Sequence, residues 1–469
     1  MGRQRAARWG NRADGGGRKR GLQTQLETEI AAEIETFVGP GAVADLDFRT
    51  LETALRQHAL QLAARAVESR FNADLSDACG ATARCLCGQT ARYAGRRRKR
   101  FVTALGELTL ERAYYHCSCC QSGFSPRDQT LGLAATSLSP AVTRMVATVG
   151  AMVSFQEGSE LLRELAGVEI APKQVERTAE ALGAEIAAQE RVVVELPQRA
   201  TPSASTLYLG LDGTGVPLRP SELAGHSGKQ PDGSAKTREV KLCCVWSAEG
   251  RDDKGLPQRD PGSVTYSAAI ESAALRDTEP GPSPFANRVQ RETRRRNFQR
   301  ASRRVVLGDG ALWIWNLADE HFPGAVQIVD RFHAKQHLSE AGKAIWGSDS
   351  QLGKTWGQER HAELDAGQLD AVLQALAVHA STCETARKDY EYFQRNRQRM
   401  RYPDFHARGL CTSSGVLEAG CKTAIGARLK RSGMHWTTRG ANAIIALRCA
   451  KLSGRLDDFW ERRAQPPAA

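Results

Sequence analysis

The arrangement of apolar runs after residue 204 constrains the fold more than any other feature of this 469-residue sequence. Each run is short enough for one strand, and longer segments of helical periodicity separate several of them. The order is three strands, a basic helix, a strand, an amphipathic helix, a strand and then helices. Such an order predicts an α/β domain. The predicted strands lie in TLYLGLDGTGVPL, REVKLCCVWSAE, GSVTYSAAIES, VVLGDG and AVQIVDRFH.

Two of these runs stay apolar until an Asp-Gly pair. Asp212 ends one run in GLDGTG, Asp309 ends another in VLGDGA, and Glu418 lies near a predicted helix start in TSSGVLEAGCKT. A single Asp-Gly is most often a turn or a helix cap. Two such strand ends and a helix glutamate, in this order, instead predict one carboxylate cluster. Carboxylates of this kind hold Mg²⁺ (or Mn²⁺) in sites that cleave phosphodiesters.

Asp330 and His333 form a further candidate pair in VDRFHAKQHL. Their spacing places them on one face of a starting helix, where they could assist metal ions or position DNA. The alternative is that Asp330 caps the helix and His333 is half-buried.

Changes in composition and hydrophobic periodicity divide the chain into five predicted regions. Helical segments between 155 and 190 could form a helix-turn-helix that enters a DNA groove, or an ordinary helical bundle. The regions are a disordered basic arm (1–22), a helical region (23–78), a zinc-ribbon-like module (79–130), a second helical region (131–200) and an RNase H-like catalytic domain (201–469) with a helical insertion at about 334–410.

Clustered cysteines mark the predicted module at 79–130. Cys85 and Cys87 precede a basic β-rich stretch, and Cys117 and Cys120 follow it. Two such pairs predict a tetrahedral Zn²⁺ site that folds a segment too small for its own core. The first pair has one intervening residue rather than two, so Cys79, His116 and Cys119 remain alternative ligands, and buried reduced thiols remain the alternative to a zinc site.

The formal net charge of +12 favours a polyanionic partner. No apolar run reaches the roughly 18 residues of a membrane span, and the basic N-terminus does not have the pattern of a secretory signal; a cytoplasmic protein with reduced thiols is therefore expected.

Trp436 could stack on an unpaired base, or it could pack in the core. The predicted DNA contacts are Arg96, Arg97, Arg98, Lys99, Arg100, Lys422, Arg428, Lys430, Trp436 and Arg439.

Four blocks of the sequence resemble transposases of bacterial insertion sequences of the Kra type, which are relatives of the Mutator-like DDE enzymes. The resemblance covers roughly residues 80–460 and implies an RNase H-like catalytic domain, Mg²⁺-dependent strand cleavage and transfer, and recognition of terminal inverted repeats. It assigns the triad to Asp212, Asp309 and Glu418, and it relates the segment from Asp330 to His333 to the D/C-x-x-H motif. The blocks are LDGTGVP, GSAKTREVKLCCVWS, GDGALWIWNLADEHFPGAVQIVDRFHAKQHL and SGVLEAGCKTAIGARLKRSGMHWTTRGANAIIALR.

Together these patterns predict a DDE transposase that binds double-stranded DNA as a homo-oligomer. Its substrates would be the ends of the mobile element and the target DNA. An RNase H-like nuclease that cuts without joining is one alternative. A transposase-derived DNA-binding protein without chemistry is another, and a zinc-ribbon scaffold protein is a third.

Overall fold

The computed structural model describes residues 47–463, apart from 135, 193–203, 229, 231–232, 254, 274–282 and 414, and a few positions between 24 and 35. The predicted basic arm at 1–22 lies outside the described residues, as does most of 23–46. The chain divides into two compact units. The first includes Met1–Val146 and Ser159–Ile170, and the second includes Ala147–Gly158 and Ala171–Arg463.

The first unit combines one long helix with a four-stranded antiparallel sheet. The Asp47 carboxylate caps the helix by accepting a hydrogen bond from the Thr50 N–H, and the helix packs Ala64 against Phe101 of the sheet. The elements are α1 (Phe48–Ala73), β1 (Thr82–Arg84), β2 (Thr90–Thr103), β3 (Gly106–His116), β4 (Gly123–Phe124) and α2 (Pro126–Thr130). Two further helices, α3 (Pro140–Met152) and α4 (Phe155–Ala166), have residues in both units.

The second unit is built on a five-stranded sheet, and its strands lie where the sequence predicts them. The strands in chain order are β5 (Thr206–Pro217), β6 (Thr237–Ser247), β9 (Thr265–Ala269), β10 (Arg303–Gly308) and β11 (Val326–Val329), with a separate ribbon of β7 (Gly250–Arg251) and β8 (Pro257–Gln258). The order across the sheet is β11-β10-β5-β6-β9. Strands β5, β6 and β9 are antiparallel neighbours, whereas β10 runs parallel to β5 and β11 parallel to β10. Residues 206–211 of β5 are all buried, as expected for a central strand covered on both faces.

Helices account for most of the rest of this unit. Gly183 of one of them allows a close approach, because a Cβ there would overlap the backbone of Ala443. The helices are α5 (Pro172–Val192), α6 (Pro220–Leu223), α7 (Pro284–Arg295), α8 (Leu312–His321), α9 (Arg331–Trp346), α10 (Gln351–Asp365), α11 (Leu369–His379), α12 (Glu384–Arg395), α13 (Tyr402–Ala407), α14 (Gly415–Gly420), α15 (Ala427–Leu429), α16 (Thr438–Leu452) and α17 (Leu456–Arg463), with 3₁₀ turns at Phe298–Arg300 and Arg397–Arg399 and a π-helical turn at Cys421–Gly426. In the part of the chain that the structure describes, no helix has both the length and the apolar character needed to cross a bilayer.

Candidate active site

A cleft of about 430 Å³ in the second unit contains all five predicted catalytic residues. Its walls come from β5, from the segment after β10, from the start of α9, and from α14 with the π-helical turn that follows it. Turns of π-helix occur frequently at functional sites. The lining residues are Asp212, Gly213, Thr214, Asp309, Asp330, Phe332, His333, Gln336, Leu417, Glu418, Cys421, Lys422, Gly426 and Lys430.

Strand register brings Asp212 and Asp309 to the same level of the sheet. Leu211 of β5 pairs with Gly308 of the parallel strand β10, and each aspartate is the next residue along its chain. The expectation that Asp212 ends its strand is wrong, because β5 continues to Pro217 in a long hairpin with β6. What ends after Leu211 is the pairing with β10, so one side of β5 opens into the cleft at Asp212.

The Asp212 carboxylate has two hydrogen-bond donors in its surroundings. The Cys421 thiol lies 3.2 Å from Oδ2, and the Gly213 N–H donates to Oδ1 at 2.7 Å. Burial raises the pKa of Asp212 above its ordinary value, the two hydrogen bonds oppose this, and the charge of Asp309 raises the pKa further. The ionised carboxylate is therefore held in a setting that disfavours its charge.

Hydrogen bonds from Ala311, Tyr392 and Asp330 fix the segment around Asp309. Its carboxylate accepts a hydrogen bond from the Ala311 N–H at 2.9 Å, and its carbonyl accepts one from the Tyr392 hydroxyl of α12 at 2.7 Å. The preceding carbonyl, of Gly308, accepts from the Asp330 N–H at 2.7 Å. Residues far apart in the chain therefore set the position of this acid.

Asp330 is buried and caps α9, accepting hydrogen bonds from the N–H groups of Phe332 and His333 at 2.7 and 3.2 Å. The His333 ring lies 5.2 Å from the ring of His337, centroid to centroid. His337 in turn stacks on Tyr392 at 4.2 Å, so that aromatic rings connect this corner of the cleft to the helix that contacts Asp309. The capping alternative for Asp330 is therefore correct, and the residue also lines the cleft.

Glu418 reaches the cleft from α14 and is far more exposed than the two aspartates. Its carboxylate forms an ion pair with Lys422 one turn later, at 2.6 Å, and 70% of its side chain is accessible. Among the described residues, only the cysteine cluster of the first unit brings three or more ligand atoms within 4.8 Å of one another. Glu418 thus lines the same cleft as Asp212 and Asp309, but the three carboxylates are not close enough to form one cluster of ligand atoms.

The four predicted cysteine ligands come together in the first unit. Their sulfur atoms all lie within 4.8 Å of one another, with Cys85–Cys120 and Cys87–Cys117 separations of 3.6 Å. Thiolates around a tetrahedral Zn²⁺, each about 2.3 Å from the ion, are roughly 3.8 Å apart. The set fits zinc, and the alternatives Cys79, His116 and Cys119 are not part of it.

Of the basic run on β2, only part is available to a partner. Arg98 and Arg100 are exposed, although Glu111 and Glu107 lie 3.2 Å from them. Arg97 is exposed and covers the Tyr114 ring at 3.7 Å. Arg96 and Lys99 are occupied inside the unit, Arg96 by Asp77 at 2.8 Å and Lys99 by the Thr136 carbonyl at 2.6 Å.

The basic residues predicted after Glu418 divide in the same way. Lys422 and Lys430 lie in the cleft, where Lys430 donates to the Thr214 hydroxyl. Arg428 is fully buried and donates to the Gly150 carbonyl, so its prediction as a DNA contact is wrong. Arg439 is exposed at the rim of a second cavity of about 570 Å³.

Trp436 does not offer a free face for a base. It is 6% exposed, its indole N–H donates to the Leu429 carbonyl at 3.1 Å, and the ring packs against Phe155 and the Arg428 guanidinium. The core alternative for Trp436 is therefore correct, and the stacking prediction is wrong.

Reasoning from the sequence missed several residues that line the cleft or contact its acids, among them Cys421, Tyr392 and Phe332. Cys421 is grouped by its helical pattern with core cysteines, although it contacts Asp212. Tyr392 belongs to the helical insertion, and no pattern in the sequence links it to Asp309. Phe332 differs from these two, because its place in VDRFHAKQHL, between two candidate residues, could have drawn attention to it.

Comparison with known proteins gives one family. The sequence profile described as "Uncharacterised protein family (UPF0236)" matches residues 88–463. No curated protein matches this chain at a significant level. The solved structure of a Drosophila P element transposase strand transfer complex aligns at 9% identity over 72% of this chain and 84% of that chain, with a TM-score of 0.22, which is too low to bear on the fold.

Proposed function

We propose that this chain, which belongs to the uncharacterised protein family UPF0236, is a DDE transposase that cuts and joins DNA in the cleft of its second unit. The observation that carries the proposal is the presence of Asp212, Asp309 and Glu418 in one cleft with two lysines. Metal-dependent phosphoryl transfer needs such carboxylates for cations and positive groups beside them for the phosphates.

The topology of the second unit supports this proposal. Three antiparallel strands are followed by two strands parallel to the first, with helices between them and after them. This is the element order expected of an RNase H-like domain. The helices at 331–407 stand where a helical insertion before the last acid is expected. The sequence blocks that resemble Kra-type insertion-sequence transposases contain all three acids.

The donor set suits a hard divalent ion. Carboxylate oxygens are the ligands that Mg²⁺ prefers, and Mn²⁺ accepts the same set. Asp212 and Asp309 would hold the ion, and Glu418 would join them after releasing Lys422. Ions bound in this way activate an attacking oxygen and stabilise the leaving one.

The proposal also assigns roles to other side chains of the cleft. Lys422 and Lys430 bring positive charge to the rim, where it would attract phosphates towards an otherwise acidic site. Asp330 holds the first turn of α9 and thereby orients His333. Cys421 donates to Asp212 and limits the directions in which that carboxylate can turn.

The first unit would supply a second set of DNA contacts. The zinc ribbon would hold the β2–β3 hairpin so that Arg97, Arg98 and Arg100 face the phosphates. Recognition of terminal inverted repeats and assembly as a homo-oligomer on DNA belong to the same proposal.

The decisive experiment follows DNA cleavage and joining with the full chain. The substrates are a duplex carrying the inverted repeats that flank the gene, the same duplex pre-nicked at the end, and a target plasmid. Wild type should nick the first and join the second to the plasmid in Mg²⁺. Asp212→Asn should lose both reactions and still bind the repeats. Asp370→Asn is the control, because it makes the same change at a carboxylate that is 71% exposed.

Two rival functions predict different outcomes. Nicking without joined products would indicate a nuclease. Binding without nicking, in wild type as in Asp212→Asn, would indicate a DNA-binding protein without chemistry; the ion pair of Glu418 with Lys422 is the observation that favours this second candidate. Nicking retained by Asp212→Asn would reject the assignment of the acids.

A further inference from the structure

An exposed aromatic ring stands inside the cleft beside the carboxylates. Phe332 is 62% exposed and lines the cleft with Asp212, Asp309 and Lys430. A large apolar side chain gains nothing from facing water, and the burial of Trp436 shows that this unit can cover a larger ring. The exposure of Phe332 therefore points to a ligand that covers it.

The backbone beneath Phe332 is fixed from several directions. The Asp330 carboxylate accepts the Phe332 N–H at 2.7 Å. The neighbouring residue, Arg331, donates its backbone N–H to the Thr412 carbonyl at 2.9 Å. Its guanidinium makes a bidentate pair with Asp365 at 2.6 and 2.7 Å. A ring on such a support loses little conformational freedom on binding, which is what a preorganised contact requires.

We propose that Phe332 is a stacking platform for an unpaired nucleobase next to the phosphodiester that occupies the cleft. The inference rests on the proposed function, since it takes DNA as the ligand of the cleft. Aromatic side chains bind single-stranded nucleic acid by stacking on bases, whose faces are available whatever the sequence. Lysines at the rim supply the phosphate contacts that accompany such stacking, and Lys430 and Lys422 hold that place.

The chemistry of the ligand also decides which form of DNA is favoured. In a duplex both faces of each base are covered by its neighbours, so a protein ring reaches a base only after that base has left the stack. A base that is already unpaired avoids this cost. Phe332 should therefore contribute to the binding of locally unpaired DNA and contribute little to the binding of intact duplex.

The test compares two short duplexes that differ at one position, with Ca²⁺ in place of Mg²⁺. In one, 2-aminopurine is paired with thymine; in the other it lies opposite an abasic site and is free to leave the stack. The full chain is titrated with each, and both the affinity and the 2-aminopurine emission are recorded. The variants are Phe332→Ala, Phe332→Leu and Phe332→Trp. Leu352→Ala is the control, because Leu352 is an apolar residue that is 69% exposed outside the cleft.

Wild type, Phe332→Trp and Leu352→Ala should prefer the unpaired duplex and quench its emission. Phe332→Ala should lose roughly five- to hundred-fold in affinity for that duplex, with the fully paired duplex unchanged and the quenching gone. Phe332→Leu should resemble Phe332→Ala, because it keeps apolar volume without a planar ring.

Three results would overturn the inference, and they differ in what they say about the cleft. If wild type nicks DNA in Mg²⁺ but Phe332→Ala keeps the preference and the quenching, the stacking role is wrong and the proposed function stands. If neither duplex binds and no nicking occurs, both are wrong. An equal loss of affinity for both duplexes would mean that Phe332 shapes the cleft without stacking, which also rejects the inference.

Discussion

Gly310 is the position where a single methyl group should test how the Asp309 segment is held. Gly310 has φ +97°, and a Cβ built there would lie 2.7 Å from the Tyr392 hydroxyl oxygen and 2.9 Å from Cζ of the same ring. Tyr392 is buried against His337 and Phe393 and cannot swing away freely. Gly310→Ala must therefore strain the backbone and also displace either the ring or the segment that carries Asp309.

The two costs can be separated with a second glycine. Gly347 has φ +95°, and a Cβ added there would meet nothing within 4 Å, so Gly347→Ala should cost only the backbone term, about 1–3 kcal/mol. Gly310→Ala should cost that amount and a further 1–3 kcal/mol or so for overpacking. Denaturant unfolding followed by tryptophan fluorescence measures the free energy of unfolding of both variants. The signal reports on the second unit, which contains both glycines, because every tryptophan except Trp9 lies at or beyond residue 246.

Removing the obstructing ring should abolish the difference. In a Tyr392→Ala background, Gly310→Ala should cost no more than Gly347→Ala, which gives a coupling free energy of about 1–3 kcal/mol. On the proposed function, DNA nicking by Gly310→Ala should fall by roughly 100-fold under conditions where the variant is folded, because misplacement of about 1 Å has that effect. Equal costs for the two glycine variants in both backgrounds would refute the view that Tyr392 positions Asp309.

Three further outcomes follow from the structure. Cys87→Ser should lose zinc by elemental analysis and expose 79–130 to proteolysis, whereas Cys119→Ser, outside the cluster, should do neither. Asp212→Asn should raise the thermal midpoint without divalent ions at neutral pH. The raised pKa of Asp212 means that the folded wild-type protein binds this proton more tightly than the unfolded chain does. The resulting stabilisation of the wild type is present below the ordinary pKa near 4 and is lost as pH rises through the raised pKa of the folded state. The higher thermal midpoint of Asp212→Asn should therefore vanish in acid, and a difference that persists there would contradict this origin. Arg428→Ala should destabilise the fold by at least about 2 kcal/mol, whereas Lys430→Ala should weaken DNA binding at unchanged stability.

The sequence predicts the sheet and its acids for reasons that the structure makes concrete. Apolar runs of strand length are a local signal, and they place β5 and β10 correctly. Parallel pairing of those strands then aligns Asp212 with Asp309, because each acid follows the paired residues Leu211 and Gly308. The cluster of four cysteines was also predictable, because two cysteine pairs flank one short stretch of the chain.

The contacts that a side chain makes across the fold were not predictable in this way. Arg428 and Lys430 lie two positions apart in one basic run, yet one is fully buried and the other lines the cleft. A helical residue advances by about 100°, so alternate residues of such a run face different sides. Which side meets the core depends on partners such as Gly150, hundreds of residues away, that no local pattern reveals.

Other buried carboxylates of the second unit are paired with guanidinium groups. Burial alone would raise the pKa of Glu292, but Arg455 and Arg295 reverse the effect and hold it below its ordinary value. Glu271 is held low in the same way by the bidentate Arg288. Burial also raises the pKa of Asp212, and here the Cys421 thiol, the Gly213 N–H and His333 do not reverse the effect. Lys422, which also lines the cleft, is paired with Glu418. Among the described residues, Glu292 and Glu271 are paired with guanidinium groups and Asp212 is not. Stability alone does not explain this difference, whereas a cation bound in the cleft would neutralise the Asp212 carboxylate.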